Sequence, residues 1–149
     1  MSVVVLLTEA FWAPFDFSPD ISVSTDSPLN PEQPLSSPFT VTNNWNLVLH
    51  QFTYACFIDY AGGGGPFVEN IGITRGSDVT PKVRGGESKT FVCPPAFAIS
   101  DLETVELEII VEYRPFLRLW PVSMRTYRFE TLRRTDGSWL WKPQPSQFD

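Results

Sequence analysis

Residues 103–113 read ETVELEIIVEY, and this stretch decides the fold class: Val105, Leu107, Ile109, Val111 and Tyr113 share one parity, and Glu106, Glu108 and Glu112 the other. Side chains alternate across a pleated sheet with a period of two, so the run predicts a half-buried β-strand. Working outward, the same alternation recurs in shorter pieces cut by Pro and Gly, and no long segment carries a helical period.

On the N-terminal side, residues 15–38 hold five prolines among many Ser and Asp residues. They predict an edge strand at Ile21 and Val23 followed by a long connection over the surface, because proline cannot donate to a strand ladder. PFTVTNN then sets Phe39 and Val41 against Thr40 and Thr42, and the Asn43-Asn44 pair tolerates the left-handed backbone of a turn. Residues 47–60, LVLHQFTYACFIDY, predict one long strand bulged near Leu49 and His50. The four glycines at 62–65 read as a mobile loop tip, since a phosphate-cradling loop would need a following helix and a Lys. Residues 67–73 predict a weaker strand and residues 75–88 a charged segment. Its Gly85-Gly86-Glu87-Ser88 end gives a hairpin-like reversal into a strand at residues 89–93.

On the C-terminal side come a short apolar piece at residues 119–122 and then MRTYRFETL, where Tyr127 and Phe129 oppose Arg128 and Glu130. Asp136-Gly137 signals a last hairpin into Ser138-Trp139-Leu140-Trp141. The sum is an all-β chain, an immunoglobulin-like β-sandwich of about seven to nine antiparallel strands. Its expected organisation is an apolar segment at 1–14, a single sandwich domain at 15–142 and a fraying tail at 143–149.

A chain of 149 residues fits one domain, and a globule of that size buries roughly two thirds of its unfolded surface without a metal or cofactor. Hydrophobic residues at 42% and aromatics at 14% argue against disorder over most of the length. The net charge of −6 argues against nucleic acid as a partner, because phosphate neutralisation needs clustered Lys and Arg. The charge is also uneven: residues 1–74 contain no Lys or Arg against seven acids, whereas residues 114–149 hold seven bases against three acids. Either the two ends lie side by side in one monomer, or they meet head to tail between copies.

Cys56 shares its parity with Phe52, Tyr54 and Ile58, and Cys93 with Phe91, so both thiols point inward. Two readings stay open: a disulfide, stabilising by about 3–4 kcal/mol in the chain-entropy model, or two buried thiols that never meet. The apolar run at residues 3–7 lacks the basic flank of a secretory signal and is too short to span a bilayer. It is either a strand or the stub of a longer hydrophobic segment.

Reactive groups do not converge on any familiar pattern. His50, the single histidine, sits in an alternating strand without a positioned nucleophile and acid, so it reads as structural. Glu106, Glu108 and Glu112 read as a solvated sheet face, since calcium loops place their ligands in turns. No catalytic, cofactor-binding or metal-binding residue is therefore assigned. Trp120, Trp139 and Trp141 are the candidate contact residues. Trp139 and Trp141 share one parity and either form a flat platform for a sugar ring or a protein, or fill the core.

PFTVTNN, the inward Cys56, GGESKTFVCP, ELEIIVEYRPF, YRFET and DGSWLWKP together resemble the bacterial immunoglobulin-like, adhesion-type sandwich modules, over roughly residues 39–141. The resemblance implies an extracytoplasmic setting, periplasmic or at the cell surface, with a membrane reached only through a hydrophobic segment at or before the N-terminus. It brings no catalytic residues. The expected function is a non-catalytic structural or protein-interaction module that self-associates through edge strands. A carbohydrate-binding module using surface tryptophans is the alternative.

Overall fold

Two-residue alternation becomes two antiparallel sheets laid face to face. The computed structural model describes residues 19–30, 33–75, 80–93, 102–115 and 121–145. Among them are nine strands: β1 (Ile21–Thr25), β2 (Pro38–Asn43), β3 (Leu49–Gly63), β4 (Val68–Arg75), β5 (Thr80–Val83), β6 (Ser88–Val92), β7 (Leu102–Pro115), β8 (Ser123–Arg133) and β9 (Trp139–Gln144). Sheet A has the order β1-β2-β6; sheet B has the order β4-β3-β7-β8-β9, with β5 also paired to β3. The chain is thus an all-β sandwich. The apolar segment at 1–14, the piece at 119–120 and the end of the tail lie outside the described residues. Pro121 and Val122 precede β8 without joining a strand.

β7 behaves as its sequence demands. Val105, Leu107, Ile109 and Val111 are fully buried and Tyr113 nearly so, and each such side chain contributes about 1.5–3 kcal/mol of burial. β2 sends Phe39, Val41 and Asn43 toward them from the opposite sheet. Phe39 joins the layers: its ring meets Phe129 edge-on at 5.3 Å and Trp141 at 5.7 Å, an arrangement that the aromatic quadrupole favours. The Trp141 indole N–H is satisfied inside the core by the Pro34 carbonyl at 3.0 Å and Ser37 Oγ at 2.8 Å. The proline-rich connection is consequently more than a surface strap, because Pro34, Leu35 and Ser37 are buried with the tryptophan.

The bulge expected near Leu49 and His50 is present beside them at Gln51, which has φ 50°, where the β3–β7 register shifts between His50 and Thr53; further shifts follow along β3. The extra residue at Gln51 lets Leu49 and Phe52 both face inward. Four local expectations change. Gly62 and Gly63 belong to β3 and pair with Thr104 and Leu102, so only the later glycines form the bend. The charged segment contains β5. The Gly85-Gly86 turn is no hairpin, since β5 pairs with β3 and β6 with β2, and the chain there crosses from one sheet to the other. Finally, β9 runs on to Gln144, past the expected start of the tail, because Lys142, Pro143 and Gln144 pair with β8.

The sheet-crossing corner is built around the buried Asn43. Its Nδ2 donates to the carbonyls of Leu47 (2.9 Å) and Val83 (3.0 Å), and its Oδ1 accepts from the Trp45 N–H (3.0 Å). A β-carbon at Gly85 would stand 2.6 Å from the Trp45 carbonyl oxygen, so the corner has room only for glycine. The β8–β9 hairpin is a three-residue loop in which Gly137, at φ 85°, donates its N–H to the Arg134 carbonyl. This is the turn-plus-bulge geometry that asks for glycine in the left-handed position.

Candidate functional site

Cys56 and Cys93 form a disulfide, with Cα atoms 5.9 Å apart, that ties β3 in sheet B to the end of β6 in sheet A. The open choice between bridge and separate thiols is therefore settled in favour of the bridge. Trp139 and Trp141 both face inward, 6% and 4% exposed, and present no platform to solvent. Their parity follows that of β8, whose Phe129 and Thr131 are also buried. At the edge of the core the Arg133 guanidinium lies 5.5 Å from the Trp139 ring centre. Trp120 lies outside the described residues.

His50 points outward from β3 and stands in register with Lys82 on one side and Arg114 on the other. Both of its partners in register are cations rather than an acid that could orient the ring for catalysis. Its Nδ1 is buried without a hydrogen-bond partner. Arg114 Nε donates to Gln51 Oε1 at 2.6 Å, which holds the bulge residue across the strand pair.

At the other end of the same outer face the chain collects carboxylates. A shallow depression of about 330 Å³ has Asp59, Glu106, Arg128, Glu130, Gln144 and Pro145 among its lining residues. Register explains the assembly: Glu106 opposes Glu130, Glu108 opposes Arg128, and Glu130 opposes Lys142. Arg128 Nε lies 3.3 Å from Glu108 Oε2, and Gln144 Nε2 donates to Glu130 Oε2 at 3.1 Å. Glu108 is 17% exposed, so it is less solvated than the plain sheet face expected for this row. Burial, and then the charge of Asp59, hold its carboxyl above the ordinary range, outweighing the Arg128 guanidinium. Among the described residues no group of His, Cys, Asp and Glu is arranged to hold a metal ion. The sequence reading passed over Asp59, although a lone charge in the apolar run FIDYAG marks a place where that strand reaches solvent.

The outer face of sheet A is different in kind. Ser22, Thr42 and Ser88 form one row and Ser24, Thr40 and Thr90 the next. Thr40 bonds Thr90 at 2.9 Å, Thr42 bonds Ser88 at 2.8 Å, and Asn44 donates to Ser22 at 3.0 Å. Four of these hydroxyls bond in pairs across the strands, and none carries a charge.

The sheet edges also differ. β9 carries Lys142 and Pro143, β5 carries Pro81 and Lys82, and β6 carries Lys89 at an inward-parity position opposite Val41. Each of these residues discourages strand addition. β1, ISVST, has neither proline nor charge and is the least defended edge. Compared with protein-family models, curated proteins and solved structures, the chain finds no match.

Proposed function

We propose that the chain is a non-catalytic module of immunoglobulin-like architecture, exported or displayed outside the cytoplasm, that acts by binding a protein partner or another copy of itself. The observation that carries this reading is the Cys56–Cys93 bridge between the two sheets, because structural disulfides persist in oxidising compartments. The outward reactive groups support it as well. His50 lies between two cations in register, and both thiols are consumed in the bridge. The undefended β1 edge offers a template to which an extended segment could add, and residues 3–7 are the candidate donor. The alternative of a sugar platform draws no support from Trp139 and Trp141, whose rings are buried.

Two measurements test the proposal. Counting free thiols in denatured, unreduced protein from exported and from cytosolic expression should find none in the first and two in the second, with lower stability for the second. Equal stability with free thiols in both would remove the exported setting. Deleting residues 1–15 should lower the assembly state in solution, and unchanged assembly would remove the donor strand.

A further inference from the structure

We infer that a second copy of this chain pairs with β1 through its own β1, antiparallel about a two-fold axis at Val23, so that the two copies of sheet A become one continuous sheet. The inference rests on the interaction reading above and names its partner and its register.

The hydrogen-bond phase of β1 is fixed on its inner side. Asn44 N–H donates to the Asp20 carbonyl at 2.8 Å, and Asp26 N–H to the Pro38 carbonyl at 3.1 Å. Asp20, Ser22, Ser24 and Asp26 therefore turn their main-chain groups toward β2, and Ile21, Val23 and Thr25 turn theirs away. The Ile21 carbonyl agrees with this phase, because it accepts the Tyr127 hydroxyl from sheet B. No described strand lies beyond these groups.

What an added strand must present follows from the two faces of sheet A. Its outward side chains stand beside the exposed Ser22 and Ser24, in rows that continue through Thr42 and Ser88 and through Thr40 and Thr90. Its inward side chains extend the apolar layer of Ile21 and Val23. ISVST has this alternation itself, with small hydroxyls outward and β-branched residues inward. Residues 3–7, VVVLL, are apolar on both parities and would set aliphatic side chains beside the serines. Every other described edge strand carries a proline or a charge: Glu69 and Arg75 in β4, Pro81 and Lys82 in β5, Lys89 in β6, Lys142 and Pro143 in β9. A chain with one permissive edge pairs with its like only isologously, so assembly closes at two copies and no fibre grows.

Keeping each face continuous leaves registers centred on Ser22, Val23 or Ser24. Only the axis at Val23 brings all the edge-facing residues into bonded pairs, Val23 with the second copy's Val23 and Ile21 with its Thr25. It also sets Asp20 against the second copy's Asp26 just beyond the strands, so the contact tightens with salt. Ser22 then opposes the second copy's Ser24 in a pair without main-chain bonds, with Cα atoms about 4.5 Å apart. The contact is small, at the weak end of specific interfaces, and a reversible dimer is expected at high protein concentration.

Disulfide trapping reads this register. Ser22→Cys and Ser24→Cys proteins mixed in equal amounts under mild oxidation should form a covalent dimer several-fold more abundantly than either alone, since the spacing lies within disulfide reach. The native bridge is buried and stays out of exchange. Ser88→Cys, on the far strand of the same face, is the collision control. Val23→Pro removes an N–H that β2 does not use, so adding it to both proteins should abolish the cross-link while circular dichroism stays that of the wild type. A cross-link in Ser22→Cys alone or Ser24→Cys alone moves the axis off Val23 and overturns the register. A mixture no better linked than the Ser88→Cys control overturns the β1 contact. Sedimentation equilibrium of the wild type separates that failure from failure of the broader reading: association that persists belongs to another surface, and a monomer at millimolar concentration leaves only a different protein as partner.

Discussion

Tyr54 and Phe91, each two residues before one of the bridged cysteines, stack with their ring centres 3.8 Å apart and their planes 13° from parallel. The period of two brings Tyr54 onto the face of Cys56 and Phe91 onto that of Cys93, so a noncovalent clamp runs beside the covalent one. The bridge closes a separation of 37 residues, for which the chain-entropy model gives about 4 kcal/mol. Replacing both cysteines with alanine should leave the far-ultraviolet circular dichroism unchanged, because the stack and the Phe39 cluster still join the sheets. The Tm should fall by roughly 8–16 °C. Loss of strand signal in the double variant would show that the aromatic clamp cannot hold the layers.

Asn43 is the second point at which the sheets are fastened. Replacing it with Ala strands the Leu47 and Val83 carbonyls and the Trp45 N–H, and buried groups left unpaired cost about 1–3 kcal/mol each. Denaturant unfolding should show a loss on the order of 3–5 kcal/mol. Gly85→Ala strains the same corner through the Trp45 carbonyl. The two changes should therefore combine to less than their sum, because either one alone already opens the turn. Full additivity would mean that the two act separately.

Tyr127 reaches from β8 to donate its hydroxyl to the Ile21 carbonyl at 2.9 Å, tying the edge strand β1 to the opposite sheet. Burial raises its pKa above the ordinary 10.0, against a smaller lowering by Arg125. The folded state thus holds this proton more tightly than the unfolded chain does. The contribution is complete below the ordinary value and is lost as pH rises through the raised one. Tyr127→Phe should cost about 1 kcal/mol at pH 7, and its deficit against the wild type should shrink in unfolding experiments above pH ~10. A deficit independent of pH would assign the effect to packing alone.

Glu108 gives a similar sign in the acid range. Its folded carboxyl is raised above the ordinary 4.5 by burial and Asp59, so its relative contribution is greatest below that value and is lost as pH rises through the raised one. Glu108→Gln, which stays neutral, should gain on the wild type between pH ~4 and pH ~7 in urea unfolding. If it instead loses ground over that interval, the Arg128 pair outweighs the cost of burying the carboxylate.

The fold was legible because β7 carries a full strand of uninterrupted alternation, and because Asp136-Gly137 and Asn43-Asn44 mark reversals by backbone chemistry that a single sequence displays. The crossing at Gly85-Gly86 was not legible. A glycine turn looks the same whether the next strand pairs with its neighbour or with another sheet, and the choice is made by Asn43, about forty residues earlier in the chain. Residues 62–63 misled for a related reason: glycine advertises backbone freedom, while the ladder to Thr104 and Leu102 is visible only in three dimensions. The cross-strand row of Lys82, His50 and Arg114 was hidden too, since its members come from three separate strands and meet only through register.

Gln51 tests how strain is placed in this sandwich. At φ 50° it occupies the left-handed region, which costs an L-residue roughly 1–2 kcal/mol, and its Oε1 accepts from Arg114 at 2.6 Å. Gln51→Ala keeps the strain and loses the bond, so it should be destabilised by about 1 kcal/mol. Gln51→Gly loses the same bond but relieves the backbone. It should therefore be more stable than the alanine variant by about 1 kcal/mol, reversing the usual order within a strand, where glycine is the poorer residue. Parallel urea titrations of the two variants decide the matter, because alanine ranking above glycine would mean that the bulge relaxes to an ordinary extended conformation once the Arg114 contact is gone.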